Sequence, residues 1–287
     1  MNHHSGNGLP RDIPFHLLEE ITNGFSDERK LGSGTFGKVY MGEPKDGEKI
    51  AVKMLYDMPG LNEEQFLQEF NNLSRLQHPN IVRLVGYCHE IRKTCIEHNG
   101  RMIFADRIHL ALCFEYMTFG SLDKYLSDEY SGLDWNVRYA IIKGICKGLK
   151  YLHEELRPPI YHLDLKPANI LLDENMLPKI ADFGISRFFA DERSRITGSH
   201  IGTIGYLPPE YIEGNIISDK FDIFSLGVVI IKIESYSKQV KKCVEIALSS
   251  VVAERHKRPT IGDIVRKLDD DTETDSQILT TSSQVME

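Results

Sequence analysis

Two short stretches concentrate residues able to do chemistry: His162-Leu163-Asp164-Leu165-Lys166-Pro167-Ala168-Asn169 and, thirteen positions after Asn169, Asp182-Phe183-Gly184. Single aspartates in loops are usually turn residues, but a carboxylate, an ammonium, an amide and a second carboxylate at this spacing form a set. A third stretch, Leu31-Gly32-Ser33-Gly34-Thr35-Phe36-Gly37-Lys38-Val39-Tyr40, carries G-x-G-x-x-G between apolar strand residues. In a dinucleotide-binding turn the third glycine opens a helix. Here both flanks read as strand, so the glycines belong to a hairpin whose backbone amides can lie against phosphates. A glycine-rich β-turn without a ligand has the same spelling, and the hairpin alone does not separate the two. Lys53 in Ala51-Val52-Lys53, on the next strand, and Glu69, on the helix after it, favour the phosphate reading. An ammonium over phosphates needs a carboxylate to hold its flexible stem. Taken singly, Lys53 reads as a solvated strand lysine.

These residues need a scaffold. Phe15, Leu17, Leu18 and Ile21 recur at helical spacing before Asn23-Gly24, predicting a short docking helix after ten polar, Gly-rich residues expected to be mobile. From Lys30 to Leu55 β-branched and polar residues alternate, with Pro44-Lys45-Asp46-Gly47 as a turn. Apolar runs at 81–88 and 108–116 predict two more strands, joined by a polar connection in which Asn99-Gly100 suits a hairpin. Over 62–77, Phe66, Phe70, Leu73 and Leu76 keep helical spacing until His78-Pro79-Asn80. After Gly120 the pattern turns helical, with Val137, Ile141, Ile145, Leu149 and Leu152 on one face of 135–156 and further helices over 216–233 and 240–252. The expected fold class is α+β, an antiparallel sheet plus one helix followed by a mainly helical lobe.

With 287 residues, 41% hydrophobic and 26% charged, the chain suits one large domain or two modest lobes and excludes a disordered or collagen-like protein. Its net charge of −8 argues against a nucleic-acid coat protein. Six acidic and no basic residues follow Leu268, so the body is nearly balanced and 269–287 reads as an acidic polar tail. Five cysteines without a CxxC pair fit a reducing compartment better than a disulfide framework. The apolar run Leu226–Ile231 is far too short for a membrane span, and Met1-Asn2-His3-His4-Ser5 carries no apolar signal region. A soluble, intracellular chain is expected.

Taken in order, the glycine hairpin, Ala-Val-Lys, Glu69, His-x-Asp-x-Lys-x-x-Asn and Asp-Phe-Gly resemble the eukaryotic protein kinase family over about residues 25–268. The wider wording, Asn80-Ile81-Val82, Gly86-Tyr87-Cys88, Phe114-Glu115-Tyr116-Met117 and Gly202-Thr203-Ile204-Gly205-Tyr206, is similar to plant receptor-like kinases and their cytoplasmic relatives. The resemblance implies a bilobal kinase fold: an extension with a short helix over 1–24, an N-lobe over 25–117, a C-lobe over 118–268 and the tail. It implies that Asp164 accepts the proton of a substrate hydroxyl, that Lys166 neutralises the transferring phosphoryl group, and that Asn169 and Asp182 hold magnesium. Gly32, Gly34 and Gly37 then cover the ATP phosphates beside Lys53 and Glu69. Leu31, Val39, Ala51 and Leu171 sandwich the adenine, with Phe114 behind it and the Glu115 carbonyl and Met117 amide as its hydrogen-bond partners. By the same resemblance Leu73, Leu84, His162 and Phe183 stack into a spine linking the lobes, anchored by Asp222, and Glu210 pairs with Arg258 as a buried ion pair. Lys166 after the base aspartate, with Thr203, is serine/threonine wording. The implied cofactors are ATP and Mg2+. The implied partners are protein substrates and a receptor or immune-signalling protein, with no nucleic acid, in the cytoplasm or held at a membrane through a partner.

Two departures stand out. Leu163 occupies the place of the family's usual arginine, so no guanidinium there captures a phosphate on Ser194, Thr197 or Ser199. Between Ile233 and Val240 only a few residues stand where the family spends several tens on a substrate-docking region, missing around 234–239. The expectation is an active serine/threonine protein kinase, the alternative a pseudokinase or nucleotide-binding scaffold with little transfer. A small-molecule kinase is disfavoured by Thr203 and Glu210, which stand in the peptide-binding arrangement.

Overall fold

β1 (Arg11–Asp12), β2 (Lys30–Ser33), β3 (Gly37–Gly42), β4 (Ile50–Leu55), β5 (Leu84–His98) and β6 (Arg101–Glu115) form one sheet of the computed structural model, in the spatial order β1-β5-β6-β4-β3-β2. The structure describes residues 9–34, 36–45, 47–56, 62–98, 101–126, 133–188, 194–196, 201–233 and 238–269. The expected antiparallel sheet is mixed at one edge, because β1 runs parallel to β5 with Arg11 opposite Gly86 and Asp12 opposite Tyr87. The next amide, Ile13 N, continues that pairing by donating to Tyr87 O at 2.8 Å.

α1 (Phe15–Ile21) matches the predicted docking helix. Its buried Phe15 and Leu18 pack on Val52, Cys88, Ala111 and Cys113, so this helix, expected in a separate extension, is part of the sheet's core. α2 (Asn62–Leu73) is shorter than the 62–77 expected and ends in a turn closed by Leu76 N donating to Leu73 O. Ring contacts Phe66–His89 and Phe70–Tyr87 fix α2 against β5.

The strands expected over 81–88 and 108–116 are longer. β5 and β6 pair in continuous antiparallel register from Gly86 opposite Cys113 to His98 opposite Arg101. The predicted hairpin residues Asn99 and Gly100 lie outside the described residues, as do residues 1–8, Thr35 and Asp46.

Residues up to Gln77 with Val82–Thr118 make one compact unit, and His78–Ile81 with residues from Phe119 onward make the other. The second unit contains β7 (Gly120–Ser121), β8 (Ile160–Tyr161), β9 (Ile170–Leu172), β10 (Pro178–Ile180), β11 (Arg187–Phe188), β12 (Ser194–Ile196) and β13 (Ile216–Ser218). They form small antiparallel groups, β10-β9-β7, β11-β8 and β12-β13. Its helices are α3 (Asp123–Leu126), α4 (Trp135–Lys150), α5 (Pro209–Gly214), α6 (Phe221–Ile233), α7 (Lys238–Ser250) and α8 over 261–269. α4 begins where Asp134 accepts the Val137 amide at 3.0 Å, an N-cap worth about 1 kcal/mol, and it buries Ile141, Ile145 and Leu149. The chain continues through 151–155 as a single π turn.

The helix expected over 216–233 begins only at Phe221. Asn215 adopts a left-handed conformation, φ +53°, which ends α5 and lets the β-branched Ile216 and Ile217 pair with β12. Residues 234–237, in the stretch expected to lack a docking region, lie outside the described residues, as does the tail from 270. Asp269 instead closes α8 and pairs with Lys143 at 2.8 Å. No helix among the described residues is long and apolar enough to cross a membrane.

Candidate active site

In the first unit, β2 and β3 form the predicted strand-turn-strand around the glycines, closed by Gly34 N donating to Gly37 O at 2.9 Å. Gly37 is required by packing, since an added Cβ would collide with Met54 O. At Gly32 and Gly34 an added Cβ would meet nothing within 4 Å among the described residues, so no packing contact there demands glycine. The cross-strand pairs Val39 with Lys53 and Ala51 with Phe114 put these four residues on one face of the sheet, opposite the face that Val52 shares with α1. Leu31 on β2 is 44% exposed, and Phe114 and Met117 are buried.

Lys53 Nζ donates to both carboxylate oxygens of Glu69, at 2.8 and 2.9 Å. Glu69 is fully buried and Lys53 nearly so, which excludes the solvated lysine. Two charges this deeply enclosed persist because each satisfies the other.

In the second unit two of the remaining predicted residues, Lys166 and Asn169, converge on Asp164 together with Thr203. Its Oδ1 accepts from Thr203 Oγ1 at 2.6 Å and its Oδ2 from Lys166 Nζ at 2.8 Å. Asn169 Nδ2 donates to the Asp164 carbonyl at 2.9 Å and to Oδ2 at 3.0 Å. Lys166 Nζ also reaches Thr203 Oγ1 at 2.8 Å, closing a triangle of carboxylate, ammonium and hydroxyl. Asn169 O accepts the amide of Ala181 at 2.9 Å, so the residue before Asp182 is tied to the loop that carries Asn169. Because the Asn169 amide nitrogen is spent on Asp164, its Oδ1 is the group left to meet a cation. Leu171 lies on β9 of this unit.

The loop is held in an uncommon conformation. Leu163 has φ +66°, a left-handed geometry that costs a non-glycine residue about 1 kcal/mol or more. Asp222 counters this: its Oδ2 accepts the His162 amide at 2.7 Å and its Oδ1 the Leu163 amide at 2.8 Å. His153 Nε2 adds a third contact at 2.8 Å, to Oδ2. Burial alone would raise the Asp222 carboxyl, but the His153 hydrogen bond and the nearby His153 and His162 charges outweigh it and hold it below the usual carboxylate range. His162 Nε2 lies 3.0 Å from Ala181 O, and its ring meets Phe183 edge-on at 5.0 Å.

Leu163, the departure from the expected arginine, is buried among Ile201, Tyr211, Ile217 and Phe221. An apolar contact therefore stands where an arginine would have met a phosphate. Ser194 belongs to β12, whereas Thr197 and Ser199 lie outside the described residues. Arg258 donates two parallel hydrogen bonds to Glu210, at 2.7 and 2.8 Å, and two more to Val252 O and Ala253 O. Ser218 Oγ donates to Glu210 Oε1, completing a buried and satisfied ion pair. An open cavity of about 430 Å³ borders Lys166 and is further lined by Asp123, Leu126, Pro167, Ala168, Tyr206 and Lys232.

The sequence marks Thr203 as serine/threonine wording and as part of the peptide-binding arrangement, but gives no sign of its bond to Asp164. Sequence reasoning missed His153 altogether, since nothing in its neighbours distinguishes it from a helix-surface histidine.

The family described as the protein kinase domain matches residues 25–284. This chain belongs to the protein kinase family. The kinase is 37% identical, over 91% of its length, to a G-type lectin S-receptor-like serine/threonine-protein kinase of Arabidopsis thaliana, of which the match covers 35%. A second kinase of that name and organism is 45% identical over 77% of this chain and 25% of its own. Cysteine-rich receptor-like protein kinase 26 of Arabidopsis thaliana is 41% identical over 83% of this chain and 34% of its own. The kinase thus spans between a quarter and about a third of the length of these curated relatives. Its sheet-rich and helical units are the two lobes of the family's fold. Membership brings ATP as phosphoryl donor and a divalent metal ion as its companion.

Proposed function

We propose that this kinase transfers the γ-phosphoryl group of ATP to serine or threonine hydroxyls of protein substrates, with magnesium as the divalent ion. The observation that carries this reading is the convergence of Lys166, Asn169 and Thr203 on the carboxylate of Asp164. Asp164 is the base: as the substrate oxygen bonds to the γ-phosphorus and the bond to the departing diphosphate breaks, the hydroxyl proton passes to its carboxylate. Thr203 occupies Oδ1 at rest, so an incoming hydroxyl shares or displaces that bond, and Thr203 keeps the carboxylate oriented meanwhile. Lys166 sets an ammonium beside the transferring group.

Asn169 Oδ1 and the Asp182 carboxylate offer hard oxygen donors suited to magnesium. When bound, magnesium offsets charge on the phosphate oxygens. Lys53, steadied by Glu69, does the same from the first lobe, under a hairpin whose Gly32 and Gly34 leave room for phosphates to approach the backbone. In the first lobe Leu31, Val39, Ala51, the Glu115 carbonyl and the Met117 amide are adenine-binding groups, and in the second lobe Leu171 is one. The cavity beside Lys166 receives a segment of the protein substrate next to its reacting hydroxyl.

Similarity to proteins named receptor-like kinases supports a receptor or immune-signalling partner. Four buried thiols, with Cys88 and Cys113 pushed up to about 12 by burial, suit cytoplasmic residence. The test is incubation of the purified kinase with magnesium and labelled ATP beside an Asp164→Ala variant, followed by phosphoamino-acid separation. Label on serine or threonine from the parent alone is expected. Label on tyrosine only, or equal label from the variant, would contradict the proposal.

A further inference from the structure

The longest strands of the kinase extend well past the sheet they belong to. β4 pairs with β6 only as far as Met54 opposite Ala111, and β1 pairs with β5 only at Gly86 and Tyr87. Beyond that, β5 and β6 continue as a two-stranded ribbon from His89 opposite Leu110 to His98 opposite Arg101. Such a ribbon is marginal in water without something to pack on.

One face of it has a companion. Phe15 donates its amide to Glu90 at 2.8 Å, stacks on His109 at 3.8 Å and lies under Arg92. On the opposite face α2 reaches only as far as His89, through Phe66 and Glu63. The next four rows of that face are Ile91 with Ile108, Lys93 with Asp106, Cys95 with Phe104 and Glu97 with Met102. All eight residues are exposed, Phe104 by 77%, Met102 by 67% and Ile91 by 58%. At two residues per row the strip is roughly 20 Å long. An apolar strip of this kind on a monomer marks a contact surface.

We infer that this face of the β5–β6 ribbon is a self-association surface whose occupant is the same ribbon of a second copy of the kinase. The argument is complementarity. A two-fold axis parallel to the strands sets β5 of one copy over β6 of the other at equal height. Ile91 then meets Ile108, Cys95 meets Phe104, and Lys93 meets Asp106 of the second copy, each twice. Among the described residues neither Lys93 nor Asp106 makes an ion pair or side-chain hydrogen bond within its own chain, so both charges are open to the reciprocal pair. Two twisted ribbons can pack this way about 10 Å apart.

The strip is small beside the roughly 800 Å² per partner of a standard interface, so the association is weak, on the order of 100 μM. Sedimentation equilibrium over a concentration series bracketing that value tests it, with the parent, Lys93→Asp, Asp106→Lys and Phe104→Glu. The parent is expected to dimerise, each variant alone to lose at least tenfold in association, and an equal mixture of Lys93→Asp and Asp106→Lys to regain it. All three positions are exposed, and unchanged melting curves confirm that each variant folds. A parent that stays monomeric throughout would overturn the inference, whether because a different protein or no partner covers the face. So would dimers indifferent to the variants, or charge variants that fail to restore each other.

Discussion

Thr203 Oγ1 donates a hydrogen bond to Asp164 Oδ1 at 2.6 Å, in the second lobe and across a sequence gap of 39 residues. The same hydroxyl accepts from Lys166, so one side chain orients the Asp164 carboxylate and steadies the ammonium together. Thr203→Val removes both bonds while keeping the shape. It is expected to lower kcat by about 10- to 100-fold with little change in the KM for ATP, and Thr203→Ser to retain most activity. Steady-state kinetics of the three proteins decides this, and equal kcat values would remove Thr203 from the mechanism.

Lys53 and Glu69 make a buried pair, so removing one member takes from the other the opposite charge that offsets its burial. Lys53→Met is expected to cost about 3–5 kcal/mol of stability and also to abolish transfer. The double variant Lys53→Met, Glu69→Leu should recover much of the stability without recovering activity. Chemical denaturation alongside a transfer assay separates the two effects. Activity in the stable double variant would show that Lys53 serves the fold alone.

Arg258 spends its guanidinium on Glu210 and on two carbonyls. Arg258→Lys keeps the charge but not the planar fork, and is expected to destabilise the kinase by about 2–4 kcal/mol. A shift in the urea midpoint with unchanged slope would report this, and no shift would mean the fork is dispensable.

Asp222 gives the kinase an acid-sensitive anchor. Its carboxyl is held below the ordinary range when folded, so it binds a proton more readily when unfolded. Its stabilising contribution is therefore fully present above the unfolded value, about 3.9, and is lost as pH falls through the folded one. Asp222→Asn should be less stable at neutral pH by about 2–4 kcal/mol and should lose less on acidification than the parent. Denaturation curves from neutral pH to about pH 3 test the sign, and parallel losses in both proteins would refute it.

The candidate site residues stand out in the sequence because phosphate, metal and hydroxyl chemistry would each dictate side-chain type and spacing. The glycine hairpin, Lys53 with Glu69 and the loop from His162 to Asn169 could be read in that way. Alternating β-branched and polar residues likewise revealed β3 and β4, although in β4 the adjacent Val52 and Lys53 are both buried, one on each face of the sheet. The two strands were legible only over 81–88 and 108–116, with Asn99-Gly100 the sign of a hairpin between them, because from His89 to His98 neither face is consistently apolar and the ribbon's extent is set by cross-strand pairing. β1 has two residues, too few for any period, and exists because β5 offers an edge. Ile216 and Ile217 were read into a helix because a short apolar run has no period of its own, and the left-handed Asn215 before them decides otherwise. The contacts of Thr203 and His153 join residues 39 and 69 positions from their partners, which only folding brings together.

Intact mass of the kinase after incubation with magnesium and ATP, beside an Asp182→Asn variant, tests the central claim most directly. The account predicts added phosphates on the parent and none on the variant; equal addition to both, or none to a parent that also leaves protein substrates unlabelled, would contradict it.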